Sequence, residues 1–221
     1  FLFWSISHLI KQIVSKNQNI SLTECFKIFG SSSLGALTFT FTDSFWFNAV
    51  EAEVYAMASL ILSLLFWLGL KWVENIDSER GDKWLILISF VIGLSFGVHF
   101  MGLLAIPAIG LLYYFKKYTF NLGSFLLANI ISISILLFIF KLLLPTTLSI
   151  FGYVEVFFVN EIGLPFNYGT IFSAILLILT IYYLLNKSFR ENKYMLNTIT
   201  LCITFIFIGF SSWLMIPIRS N

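Results

Sequence analysis

The residues in this chain that could do chemistry are ionisable side chains at the borders of long apolar runs. Asp43, Glu51 and Glu53 precede one such run, His99 lies between two others, and Arg219 follows the last. A carboxylate can take a proton from a hydroxyl group, and His and Arg can donate hydrogen bonds to a phosphate. Charged groups at a membrane boundary are costly unless they are paired or hydrated, so these five are candidates for a functional site.

The three carboxylates have competing interpretations. Glu51 and Glu53 lie about 200° apart around a helix, so they cannot form a single two-carboxylate site. Glu51 follows Asn48 at the spacing of a capping box, and this structural role is as good an explanation as a catalytic one. Glu53 has no such role, and for it we favour a functional or buried-pair role. Asp43 taken alone is better explained as the cap of a short turn.

The other outward polar residues suggest recognition of a ligand. His99 has no partner at the spacing of metal ligands, so we predict no metal site and favour a hydrogen-bonding or phosphate-contacting role. Arg219 could contact a phosphate or a carboxylate through two nitrogens, or could simply anchor the chain at lipid headgroups. A further outward group contains Asn160, Glu161 and Asn167.

The elements that position these residues are apolar runs of about the length of a membrane span. The chain is 59% hydrophobic and 11% charged, with a mean hydropathy of +0.93. In lipid such runs must be helices, because every backbone polar group needs a partner within its own segment. We therefore predict an all-α polytopic bundle of about six full spans plus the end of one more at residues 1–10. Seven apolar runs, of which 84–98 and 103–115 are short, supply these spans: they cover residues 26–41, 48–72, 84–98, 103–115, 120–144, 170–185 and 194–216.

Basic residues alternate between the gaps, and this asymmetry predicts the orientation. Eleven of the thirteen Lys and Arg residues fall in alternate gaps, which the positive-inside rule makes cytoplasmic. The opposite, external side keeps Lys141 and Arg219 among the basic residues and holds the carboxylates and His99. The net charge of +2 gives no indication of a nucleic-acid partner.

Two further expectations concern the organisation of the chain. Residues 145–169 are too apolar for a free loop and too interrupted for a span, so we predict an external interfacial or re-entrant element. Residue 1 is Phe, and both ends cut through apolar or emerging segments. We therefore expect residues 1–221 to be part of one transmembrane domain that is truncated at both ends.

Four stretches on the predicted external side, in this order, resemble a known family. They are residues 42–56 (TDSFWFNAVEAEVYA), 93–99 (GLSFGVH) with 104–108 (LAIPA), 158–167 (FVNEIGLPFN) and 217–221 (PIRSN). Together they resemble bacterial protein O-mannosyltransferase-like proteins, which are membrane glycosyltransferases of the GT-C type and were formerly labelled a domain of unknown function. The resemblance covers nearly the whole chain.

This resemblance implies a glycosyltransferase that moves a sugar from a polyprenyl-phosphate carrier to a protein or glycan acceptor outside the cytoplasmic membrane. The lipid-linked sugar would be the donor substrate, with no cofactor and no metal. The main catalytic base would lie upstream of Phe1, so we expect residues 1–221 alone to be inactive. Asp43, Glu51 and Glu53 remain candidates for catalysis. The expected substrate-binding residues are His99, Asn160, Glu161, Asn167 and Arg219.

Two other classes of protein remain open at this point. A transporter would also present outward carboxylates, but it should have discontinuous helices in matched halves, and the sequence has no such repeat. A non-catalytic membrane scaffold would tolerate alanine at the outward polar residues.

Overall fold

The structure is a computed structural model, and it describes residues 1–14, 20–51 and 54–211. These residues form ten α-helices, a 3-10 turn at Phe100–Leu104 and a π-helical turn at Phe138–Leu143. The helices are α1 Leu2–Val14, α2 Leu22–Thr40, α3 Asp43–Val50, α4 Tyr55–Glu74, α5 Asp82–Ser95, α6 Ala105–Lys117, α7 Leu122–Leu137, α8 Leu144–Asn160, α9 Tyr168–Arg190 and α10 Tyr194–Phe210. The prediction of an all-α bundle is confirmed.

Four helical stretches are long and apolar enough to cross a membrane within the described parts of the chain. They are Tyr55–Glu74, Phe100–Lys117, Leu122–Asn160 and Tyr168–Arg190. The apolar α10 has 17 residues and α5 has 14, both short of the roughly 20 that a perpendicular span needs. The chain is therefore an α-helical membrane protein, and within residues 1–14, 20–51 and 54–211 four helical stretches have the length and apolarity of a full span, where we predicted about six for the whole chain.

The core lies between α4, α5, α6 and α10. Leu65 and Leu68 of α4 are completely buried there, against a layer of isoleucines that includes Ile88 and Ile206. Helices α5 and α10 cross closely at Gly93 and Gly209. A Cβ atom built on Gly93 would lie 2.3 Å from the Ile206 carbonyl oxygen, so only glycine permits this approach.

Helices α3 and α4 correct our prediction of a cap at Asn48. We expected one helix to begin at Asn48, with Glu51 as the reciprocal partner of the cap. Instead Asn48 lies inside α3, where its side-chain amide donates a hydrogen bond to the Ser44 carbonyl oxygen at 2.7 Å. Glu51 follows the end of α3, with an extended backbone. The capping-box interpretation of Glu51 is therefore wrong.

Residues 145–169 are helical for most of their length. Helices α7 and α8 join through the π-helical turn into one continuous helical stretch of 39 residues, Leu122–Asn160. The ring of Pro145 would meet the carbonyl of Lys141 in a regular α-helix, and the wider π turn includes that residue. The segment thus consists of α8, a short connection and the start of α9, and its position at a membrane interface stays a prediction.

Contacts near the helix ends bring the basic gaps of the sequence to one end of the bundle. The His8 ring lies 3.2 Å from the Glu74 carboxylate, Lys117 donates a hydrogen bond to Asp77, and Thr198 donates one to Asp82. The hydrogen bond from Lys117 holds the pKa of the Asp77 carboxyl below its ordinary value. We call this the basic end, and it carries Lys11, Lys27, Lys71, Arg80, Lys83, Lys116, Lys117, Lys187, Arg190 and Lys193. The opposite, acidic end carries Asp43, Glu51 and Glu161.

Candidate functional site

His99 at the acidic end is held by backbone hydrogen bonds after α5. Its own N–H donates to the Ser95 carbonyl oxygen at 2.8 Å, and its side chain caps the 3-10 turn that follows. In this cap the ring atom Nδ1 accepts a hydrogen bond from the Met101 N–H at 3.1 Å. A neutral imidazole whose Nδ1 accepts carries its proton on Nε2. His99 is only partly buried, so this geometry prepares Nε2–H to donate to a ligand.

The start of α4 lies against the His99 ring. The ring of Tyr55, the first residue of α4, has its centroid 5.7 Å from that of His99, with 50° between the planes. A Cβ atom at Gly102 would come within 2.6 Å of the Ser95 side chain, so glycine lets the 3-10 turn fold back onto α5. We did not single out Tyr55 from the sequence, although it belongs to the stretch that resembles the family. The contact brings the 42–56 and 93–108 stretches together.

Asp43 and Glu51 lie at the two ends of α3 and are both exposed. Asp43 is the first residue of the helix, where a negative charge interacts favourably with the helix dipole. Thr42 precedes it, but its hydroxyl donates to the Phe39 carbonyl and does not cap α3. Within the described residues neither carboxylate has a hydrogen bond or an ion pair, so both are available to a ligand. Glu53 and Arg219 lie outside the described residues, and the roles suggested for them stay predictions.

Asn160 ends α8, Glu161 and Asn167 lie in the connection from α8 to α9, and Glu155 holds the far end of that connection. The Glu155 carboxylate accepts hydrogen bonds from the Asn167 N–H at 2.6 Å, the Thr170 N–H at 2.7 Å and the Thr170 hydroxyl at 3.0 Å. It thereby caps α9 from a neighbouring helix. Asn167 itself has a left-handed backbone with φ of 75°. A binding role for the Asn160, Glu161 and Asn167 side chains, which are exposed, stays a prediction.

The structure separates the candidate residues into two groups. His99 and Tyr55 lie next to each other, with α3 packed beside the start of α4. Helix α8 packs mainly against α9 and the π-helical turn, so Asn160, Glu161 and Asn167 form a second group. The role of Glu155 has no local signal in the sequence, because its partners lie 12 and 15 residues further along the chain.

Two cavities among the described residues lie away from both groups. An apolar cavity of about 410 Å³ is lined by α4, α5, α6, α7 and α10, with Ile88, Ile139 and Ile206 in its wall. A second, of about 490 Å³, lies at the basic end between α1, α2 and α4. In residues 1–14, 20–51 and 54–211, no group of three His, Cys, Asp or Glu side chains could hold a metal ion.

Comparison with known proteins identifies the family. A family model described as the protein O-mannosyl-transferase TMEM260 N-terminal domain matches residues 1–122. This range is more than half of the chain, and it contains α3, the start of α4 and the 3-10 turn with His99. No curated protein and no solved structure matched the chain. The chain therefore belongs to the family of the protein O-mannosyl-transferase TMEM260 N-terminal domain.

Proposed function

We propose that this chain is part of a membrane glycosyltransferase that transfers a sugar, mannose in the first instance, from a polyprenyl-phosphate carrier to a protein hydroxyl. The observation that carries the proposal is the family match over residues 1–122. The charge asymmetry supports an external site, because positive residues prefer the cytoplasmic side and the candidate residues lie at the acidic end.

The proposed reaction needs an acceptor hydroxyl, a carboxylate that takes its proton, and hydrogen-bond donors for the leaving phosphate. The acceptor hydroxyl oxygen attacks the anomeric carbon of the sugar, the bond from that carbon to the phosphate oxygen breaks, and polyprenyl phosphate leaves. The hydroxyl proton passes to a carboxylate, for which Asp43, Glu51 and Glu53 are candidates. Negative charge grows on the leaving phosphate, and hydrogen-bond donors fixed in advance stabilise it.

His99 is the residue that we assign to the leaving phosphate. Its backbone and Nδ1 hydrogen bonds fix the ring, which leaves the Nε2–H donor for a phosphate oxygen. Arg219 would add a second donor with two nitrogens. Asp43 and Glu51 have no partners among the described residues, so they would meet the acceptor or the sugar without first breaking an ion pair.

The test is transfer by the purified full-length protein. It should move radiolabelled mannose from polyprenyl-phosphate mannose to a peptide rich in Ser and Thr, releasing one polyprenyl phosphate per sugar transferred. A nucleotide sugar without the carrier should give no product. If no polyprenyl-phosphate hexose serves as donor for any peptide or glycan acceptor, the proposal is wrong and a scaffold role gains support.

A further inference from the structure

The cavity at the basic end combines aromatic and cationic walls. Its volume is about 490 Å³, and it is formed by α1, α2 and α4. Trp4, Phe29 and Trp67 form its aromatic side, while His8, Lys11 and Lys71 lie on its polar side. It is separate from the candidate site, because it lies at the opposite end of α4.

The polar side of the cavity carries an excess positive charge. The Glu74 carboxylate lies 2.9 Å from the Lys71 ammonium and 3.2 Å from Nδ1 of His8, so both of its oxygens have partners. Lys11 lies on the same helix as His8, and its ammonium has no hydrogen bond or ion pair in the parts of the chain that are described. The cavity wall therefore holds one carboxylate and two ammonium groups, which leaves one positive charge for an anion.

The aromatic side is open to the surroundings of the bundle. Trp4 and Trp67 pack with their ring centroids 5.7 Å apart, and the Phe29 ring stacks on that of Phe3. Trp4 and Phe29 are still 53% and 52% exposed, so the cavity continues onto an apolar outer surface. Tryptophan is typical of the boundary between headgroups and hydrocarbon.

We propose that this cavity binds an anionic phospholipid, with the headgroup phosphate between Lys11 and Lys71 and the acyl chains along Trp4 and Phe29. Basic cavities between membrane helices attract anionic headgroups, and the apolar surface beside this one matches the rest of a lipid molecule. A soluble phosphate compound would leave that aromatic surface unused. The site goes beyond the proposed sugar transfer, and its test does not depend on activity.

The experiment uses the full-length protein in phosphatidylcholine vesicles with increasing amounts of phosphatidylglycerol brominated on its acyl chains. Bromine quenches tryptophan fluorescence on contact, and Trp4 and Trp67 line the cavity. We expect quenching that saturates at a low mole fraction of phosphatidylglycerol. The double variant Lys11→Gln with Lys71→Gln should raise the half-saturating fraction by roughly tenfold or more. The matched control, Lys116→Gln with Lys187→Gln, removes the same charge at the same end and should leave it unchanged.

Three results would overturn the proposal. Equal loss in the test and control variants would mean that only bulk charge attracts the lipid, and quenching that never saturates would mean that there is no site. Displacement of the lipid by millimolar glycerol 3-phosphate would assign the cavity to a soluble phosphate. Lys71→Gln also removes a contact to Glu74, so the single variant Lys11→Gln is decisive. It breaks no contact among the described residues, and it should still raise the half-saturating fraction of phosphatidylglycerol.

Discussion

At the scale of single residues, the two ring nitrogens of His99 have different roles. Nδ1 holds the 3-10 turn through the Met101 N–H, whereas Nε2 remains for a ligand. A substitution can therefore separate the two roles if the new side chain preserves one atom and removes the other. Asparagine does so, because its Oδ1 occupies nearly the place of Nδ1 and has no counterpart of Nε2.

We predict that His99→Asn in the full-length protein lowers the rate of sugar transfer by about 10²–10³-fold, as loss of one donor to a developing anion does in other enzymes. Thermal stability should stay close to that of the wild type, because the cap is kept. His99→Ala should lower both the transfer rate and the melting temperature, because it removes the ligand donor and the cap. Transfer rates and melting temperatures of the two purified variants check this, and a His99→Asn protein with wild-type transfer would remove His99 from the site.

At the scale of elements, the connection between α8 and α9 depends on one carboxylate. Glu155 satisfies two backbone N–H groups at the start of α9 that would otherwise have no helical partner. Gly169 allows the close contact, since a Cβ there would lie 2.6 Å from the Glu155 Cα. A carboxylate of α8 therefore holds the end of the connection that carries Glu161 and Asn167.

We predict that Glu155→Gln loosens the start of α9. A glutamine amide has only one acceptor oxygen, so one of the two N–H groups loses its partner. Hydrogen exchange at residues 167–171 should become about tenfold faster, because a backbone N–H that loses its charged acceptor opens more often. Mass spectrometry of exchange measures it. Glu161→Gln is the control, and equal rates in the two variants would contradict the assignment.

The crossing of α5 and α10 supports a prediction about packing. Gly93→Ala places a methyl group against the Ile206 backbone, which cannot move away as a flexible side chain would. The variant should lose about 1–3 kcal/mol of stability. Gly30→Ala provides the control in α2, since a Cβ there meets nothing within 4 Å. The melting temperature in detergent should fall for Gly93→Ala and not for Gly30→Ala. An unchanged melting temperature for Gly93→Ala would mean that α5 and α10 separate easily.

Local patterns in the sequence predicted part of this architecture, and distant contacts limited the rest. Ser89, Gly93 and Gly97 recur every four residues, a small-residue pattern that predicts a close helix crossing, and α10 makes that crossing at Gly93. The Asn48–Glu51 spacing misled us, because an amide inside α3 can use the carbonyl one turn earlier instead of starting a new helix. Two contacts join residues that are distant in the sequence: Tyr55 with His99, and Glu155 with Thr170. No local sequence pattern predicts such pairs.

At the scale of the whole molecule, the two ends of the bundle predict the orientation. We expect a cysteine at Ser78, in the exposed turn at the basic end, to be protected in sealed cells and labelled after permeabilisation. A cysteine at Asn160, at the acidic end of α8, should react with an impermeant maleimide from outside. Cys25 and Cys202 are first replaced by alanine in the full-length protein. Labelling of the Ser78 position in sealed cells would invert the orientation and the face assigned to the reaction.

The continuous helical stretch Leu122–Asn160 sets a geometric condition on the surrounding bilayer. A straight helix of its 39 residues would be about 58 Å long. The hydrocarbon layer is only about 30 Å thick, and even at a tilt of about 40° such a helix would extend about 45 Å along the membrane normal. The stretch must therefore either emerge from the hydrocarbon or bend at the π-helical turn. Membrane thickness would then decide how much of α8 reaches water, and a thinner bilayer would expose more of the Glu155 connection.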